Sequence, residues 1–131
     1  MPQILEQLCP CESGKQFACC CEPLLLGNSF AATAEALMRS RCTGYVTQNS
    51  TYLLSSWHPD TRPSQITFNP DQKWLGLKIK RTEEGLSDNN IGIVEFVARF
   101  KIHGRGHRLH EISHFQKING FWLYKSGEIQ D

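Results

Sequence analysis

Residues 107–125 read "HRLHEISHFQKINGFWLYK", and the conformation of this stretch decides the fold class. Within it, "HEISH" at 110–114 matches His-Glu-x-x-His, the zinc-ligand pattern of metalloproteases. That chemistry requires a helix, where residues i and i+4 lie one turn apart and share one ion. Here the five residues stand between "GRG" at 104–106 and Asn119-Gly120. Asn-Gly flanked by apolar residues is a strong hairpin signal, so the segment is predicted to be a strand. In a strand His110 and His114 share a face but lie about 13 Å apart, four steps of ~3.3 Å, too far to hold one metal. Lys117 also occupies the position where the extended zinc-protease pattern carries glycine. A metalloprotease is excluded.

The alternation extends upstream. In "IGIVEFVARFKI" (91–102), Val94, Phe96, Ala98, Phe100 and Ile102 fall on one face, and Glu95, Arg99 and Lys101 on the other. "KWLGLKIKR" (73–81) alternates Leu75, Leu77 and Ile79 with Lys78 and Lys80, and a polar loop "EEGLSDNN" (83–90) joins the two strands. "FWLYK" (121–125) is the last strand. Before residue 73 the period is helical. "TAEALMRSRCTGYV" (33–46) predicts a helix capped by Thr33, with Glu35 in the first turn and Ala34, Leu37, Met38, Cys42 and Tyr45 on one stripe. "NSTYLLSSWHP" (49–59) predicts a shorter helix, capped by Asn49 or Ser50 and stopped by Pro59, with Tyr52, Leu53 and Trp57 turned inward. Helices followed by a curved antiparallel sheet make an α+β fold.

A chain of 131 residues supports one core-bearing domain and a small appendage. With 40% hydrophobic and 21% charged residues it has the composition of a soluble globular protein. A formal net charge of +1 argues against nucleic-acid binding driven by bulk electrostatics. No apolar run approaches the ~20 residues of a membrane span. "MPQILEQLCPC" at the N-terminus lacks a basic segment followed by a long apolar run, so no secretory signal is expected and the cytoplasm is the expected compartment.

Five of the six cysteines crowd into residues 9–21, in "CPCESGKQFACCC". A disulfide framework would spread its cysteines across the fold; this crowding favours a metal in a reducing compartment. Pro10 stiffens a bend that aims Cys9 and Cys11 to one side, Ser13-Gly14 returns the chain, and "KQFA" brings back the second cysteine group. Four thiolates around a dication leave a formal charge of about −2, so nearby donors should matter; Lys15 and the backbone N–H groups near Gly14 are the candidates.

The stretch resembles the SEC-C motif, the small zinc-binding element at the tail of the SecA translocase ATPase. That motif reads Cys-x-Cys, eight residues, then Cys-Cys or Cys-His. The resemblance implies a structural zinc ion (Zn2+) held by Cys9, Cys11, Cys20 and Cys21, with Cys19 spare. Glu12 and Glu22 stand where the motif often carries glycine. A site closed by four cysteines leaves no open position for catalysis. The phrases "LMRSRCTGYV", "YLLSSWHP", "VEFVARF", "HEISHF" and "GFWLYKSGE" resemble the YchJ-like family of small bacterial proteins over almost the whole chain. That resemblance implies a zinc knuckle over residues 1–27 followed by a nuclear transport factor 2-like cone over 28–131, helices packed on a bent sheet. Cys42 stands where the family commonly has an aromatic.

A cavity between helices and sheet is the expected site in such a cone. Arg41 falls inside the apolar stripe, where it needs either a buried salt bridge or a place in a pocket for an anionic or carbonyl ligand. Arg39 lies on the flank of that stripe. Trp57 and His58 end the second helix at a rim, where His58 either caps carbonyls or acts in catalysis. Glu95, Arg99 and Glu111 either line the pocket or form a solvated charge ladder.

Three functions compete. The leading expectation is a non-enzymatic binding or adaptor protein, with a protein partner such as a chaperone at the knuckle and a small ligand in the cone. The alternative is a small-molecule dehydratase or isomerase using His58 with Glu95 or Glu111. A third is a redox sensor in which oxidation of Cys19, Cys20 and Cys21 releases zinc.

Overall fold

The computed structural model describes residues 7–130. The reading of the N-terminal segment as free of a signal rests in part on residues 1–6, outside the described residues. Four strands, β1 (Gln72–Glu84), β2 (Ile91–Ile102), β3 (Arg105–Ile118) and β4 (Phe121–Gln130), form one antiparallel sheet in sequential order. Two-residue turns close two of its three hairpins, and residues 85–90 join β1 to β2. Asn119 and Gly120 take φ of 53° and 85°, the mirror-image turn whose twist matches paired strands. The β2–β3 turn is His103-Gly104, with φ of 51° and 80°, one residue ahead of the position expected from "GRG". "HEISH" lies inside β3, paired on both sides.

Helix α2 (Ala34–Val46) packs on the inner face of the sheet. Its buried stripe of Ala34, Leu37, Met38 and Cys42 meets Leu77, Val94, Phe96, Ala98, Phe115 and Trp122. Thr33 Oγ1 accepts from Ala36 N at 3.1 Å, satisfying one orphan donor of the first turn. The helix start docks on the β1–β2 connection, where Ala34 N donates to Gly85 O at 2.9 Å. This approach excludes a side chain at Gly92: a Cβ there would stand 2.5 Å from Gly85 Cα and 3.0 Å from Ala34 Cβ.

β1 departs from simple alternation. Register shifts between Trp74 and Gly76, and between Ile79 and Arg81, put Trp74, Leu77 and Ile79 against the core. Leu75, expected on the apolar face, is 54% exposed, because one extra residue on a strand reverses the facing of its neighbours. The short helix α3 (Ser50–Ser55) is capped by Asn49, whose Oδ1 accepts from Tyr52 N at 3.0 Å. Its Leu53 is fully buried. Beyond α3 the chain runs beside β4: Tyr124 N donates to Ser56 O at 2.9 Å and His58 N to Tyr124 O at 2.8 Å. That pairing covers part of the sheet edge. Among the described residues no helix is long and apolar enough to cross a membrane.

The amino-terminal part forms its own small cluster of Cys9, Cys11 and Cys21, with Phe17, Cys20 and Leu25 packed against it. Cys9 N donates to Lys15 O at 2.8 Å and Phe17 N to Gln7 O at 2.8 Å, closing the bend. A 3₁₀ turn at Phe17–Cys19 and the one-turn helix α1 (Glu22–Leu25) carry the chain away. Glu12, at a position where the SEC-C motif often has glycine, takes φ of 65°, the left-handed region that glycine enters freely.

Candidate metal centre and cone cavity

The sulfurs of Cys9, Cys11, Cys20 and Cys21 all lie within 4.8 Å of one another. Four sulfurs placed tetrahedrally about 2.3 Å from one ion are separated by about 3.8 Å. Cys11 to Cys20 is 3.6 Å and Cys20 to Cys21 is 3.9 Å, so the donor set fits a closed tetrahedral thiolate site. All six cysteines are free, and Cys19 is exposed and outside the group. Cys11 is driven down to about 4 by hydrogen bonding from Cys21. Cys21 is driven up by that same contact and by burial, and Cys20 is driven up chiefly by burial. One ionised sulfur thus opposes ionisation of its neighbours, an arrangement that a cation relieves.

The donors around the sulfurs differ from those expected. The Lys15 side chain is exposed, and its backbone serves the bend. Ser13 Oγ lies 3.2 Å from Cys20 Sγ, and the buried Thr43 Oγ1 lies 3.6 Å from Cys9 Sγ. Arg39 Nη1 donates to Cys11 O at 2.7 Å while its Nε pairs with Glu35 Oε2 at 3.0 Å. Thr43 and Arg39 both belong to α2, so the helix that roofs the sheet also seats the cysteine cluster.

Further round α2, a cavity of about 230 Å³ opens between the helix and the sheet. Met38, Cys42, Trp74, Phe96, Ala98 and Leu109 give it apolar walls; Arg41, Tyr45, Glu111, Ser113 and Tyr124 give it a polar side. Arg41 is only 3% exposed and has no carboxylate within ion-pair distance among the described residues. Its Nη1 donates to Leu53 O at 2.8 Å and Ser56 Oγ at 2.7 Å. Its guanidinium lies 4.8 Å from the centre of the Trp57 ring and 4.7 Å from that of Tyr124. Two aromatic faces and two acceptors take the place of the expected salt bridge. Glu111 Oε2 accepts from Ser113 Oγ at 2.6 Å and Tyr124 Oη at 3.1 Å.

Of the residues expected around this pocket, Arg41 and Glu111 line it. Trp57 stands behind Arg41 and is not in the wall. Arg39 faces the cysteine cluster instead. Glu95 sits on the opposite face of the sheet, bonded to Arg81 Nε at 2.7 Å and His110 Nε2 at 2.6 Å, contacts that hold its carboxyl below the usual range, His110 first. Arg99, exposed on that same outer face, pairs across the strands with Arg108. Glu95 and Arg99 thus lie on the outer face of the sheet, away from the cavity. His58 is buried, its Nδ1 accepting from Asp60 N at 3.0 Å, and it does not line the cavity that holds Glu111. His58, Glu95 and Glu111 therefore do not converge as an acid/base set. Sequence reasoning missed Tyr124 and Ser113. Tyr124 follows Trp122 at the strand period on the core face, a usable signal, whereas the polar Ser113 gave none.

The profile described as "YchJ, middle NTF2-like domain" matches residues 33–127, beginning at the α2 cap. A UPF0225 protein of Chromobacterium violaceum is 46% identical over 124 residues, covering 92% of each chain. The chain belongs to the YchJ-like family. A UPF0225 protein of Streptomyces coelicolor is 41% identical over 123 residues, 94% of this chain and 96% of that one. The solution structure of a SEC-C motif containing protein from Rhodopseudomonas palustris superposes with a TM-score of 0.82 at 34% identity, covering 94% of this chain and 98% of that one. A crystal structure of a SEC-C motif containing protein from Psychrobacter arcticus gives 0.78 at 24% identity over 98% of this chain and 86% of that one, a likeness of fold alone. The YchJ-like cone and the SEC-C cysteine cluster thus occur together, in the order the sequence implied.

Proposed function

We propose that this YchJ-like protein is a non-enzymatic binding or adaptor protein, in which a structural zinc ion holds the knuckle and the cone provides a small-ligand cavity. The carrying observation is the closed set of four thiol ligands, which offers no open coordination position for chemistry. Zinc is favoured over other ions by four sulfur donors at tetrahedral spacing. Free, clustered thiols suit a reducing compartment, so the protein acts in the cytoplasm. Leu8, Leu26 and Phe30, each about two-thirds exposed, lie in and just beyond the knuckle and supply an apolar surface for a protein partner. The test is cross-linking in cells with the native chain, followed by binding of the purified partner so identified to Leu8→Glu and Leu26→Glu variants. The reading expects at least a tenfold loss of affinity in one of them with zinc content unchanged. Wild-type affinity in both variants would overturn the adaptor assignment.

A further inference from the structure

We infer that the cavity between α2 and the sheet takes a small uncharged ligand of about one ring that presents a hydrogen-bond acceptor and donor side by side, an aromatic or cyclic amide being the simplest class. This rests on the reading of the cone as a binding domain. Size sets the first limit. A cavity of ~150 Å³ lined by apolar side chains takes benzene, so about 230 Å³ accommodates one ring with a short polar substituent. The walls from Met38, Phe96, Ala98 and Leu109 suit the ring.

The polar side sets the second limit. The two hydrogen bonds of Arg41 to Leu53 O and Ser56 Oγ both leave from Nη1, and Tyr45 is the further side chain that interacts with the guanidinium. Both hydroxyls that reach Glu111 bond to Oε2, leaving Oε1 free. Arg41 and Glu111 both line the cavity, so a cationic donor group and a carboxylate acceptor belong to the same wall. They are also fixed. The guanidinium rests against two rings that meet edge to face, and the Glu111 carboxylate is held by Ser113 Oγ and Tyr124 Oη and lies against Gly127, where any Cβ would collide with it.

Opposite charges on one side decide the ligand's charge. An anion drawn to Arg41 meets the Glu111 carboxylate, and a cation meets the reverse problem. A purely apolar ligand strips water from both groups and replaces none of it. An amide gives its carbonyl oxygen to Arg41 and its N–H to Glu111 Oε1, satisfying both without net charge.

The experiment titrates the zinc-replete full chain with benzamide, benzoate and toluene, following backbone and methyl NMR signals of residues lining the cavity. Benzamide should shift them saturably and bind at least about tenfold more tightly than either of the others, the effect of one charge-assisted hydrogen bond. Glu111→Gln should weaken benzamide by about tenfold and leave toluene within about twofold. The comparison of three probes on the native chain stands even if that variant does not fold. Benzoate or toluene binding as well as benzamide overturns the amide assignment while the cone remains a binding domain. No cavity response to any probe overturns both that assignment and the ligand-binding reading of the cone.

Discussion

Arg39→Met isolates the bond that ties the cysteine cluster to the cone. In the native chain Nη1 donates to the carbonyl of Cys11, itself one of the four sulfur residues, at 2.7 Å. A hydrogen bond from a charged donor contributes about 1.5–3 kcal/mol, and the 21% exposure of the Arg39 side chain moves the value toward the lower end. The Glu35 pair on the same helix adds only about 0.3–0.5 kcal/mol. Methionine keeps most of the aliphatic packing and removes the charge beside the four-cysteine cluster. The knuckle's docking should weaken by about 1–2 kcal/mol, which, carried into metal release, is about a 5- to 30-fold faster loss of zinc. Stopped-flow transfer of zinc to a chromogenic chelator measures this rate. Glu35→Gln serves as the control and should change it by no more than about twofold. Release from Arg39→Met at the native rate, with circular dichroism unchanged, would refute the claim that α2 seats the cluster through this bond.

Gly92→Ala should lower stability by about 1–2 kcal/mol and the melting temperature by several degrees, because the new methyl meets the Gly85 backbone rather than a movable side chain; thermal unfolding reads it. Alkylation followed by mass spectrometry should label exposed Cys19 rapidly, whereas Cys42, which burial pushes up to about 12, reacts only on unfolding; equal rates would contradict the packing of α2. Chelation should expose the amides of Cys9 and Phe17 to exchange while β2 and β3 stay protected, since the cysteine cluster and the main core are separate clusters; loss of sheet protection would place the boundary near residue 27 wrongly.

The β2–β3 and β3–β4 hairpins were legible because they depend on two residues each. Asn119-Gly120 needs no tertiary information to adopt its turn, and the inner face of β2 announces itself in Val94, Phe96 and Ala98. β3 is less readable because its polarity is inverted near the cavity. Glu111 and Ser113 face inward while Ile112 lies on the outer face, opposite Glu95. A polar residue on an apolar face is explained only by the partners it finds, here Tyr124 on another strand. β1 misled at Leu75, because a bulge responds to the neighbouring strand rather than to local pattern. The cysteine ligands followed from motif spacing. Their supports did not, since Thr43 lies 34 residues from Cys9 and Arg39 lies 28 from Cys11. Arg41 was legible as a charge that must be satisfied; that two aromatic rings would satisfy it, rather than a carboxylate, emerged from the junction of α3 with β4.

The most direct measurement is the zinc content of freshly purified, reduced protein by elemental analysis, made in parallel on the native chain, Cys19→Ser and Cys11→Ser. The account predicts about one ion per chain in the first two and almost none in Cys11→Ser, because Cys11 is fully buried among the four sulfurs and Cys19 is exposed outside them. Less than about half an ion per native chain, or equal loss in both variants, would contradict a closed zinc site made by Cys9, Cys11, Cys20 and Cys21.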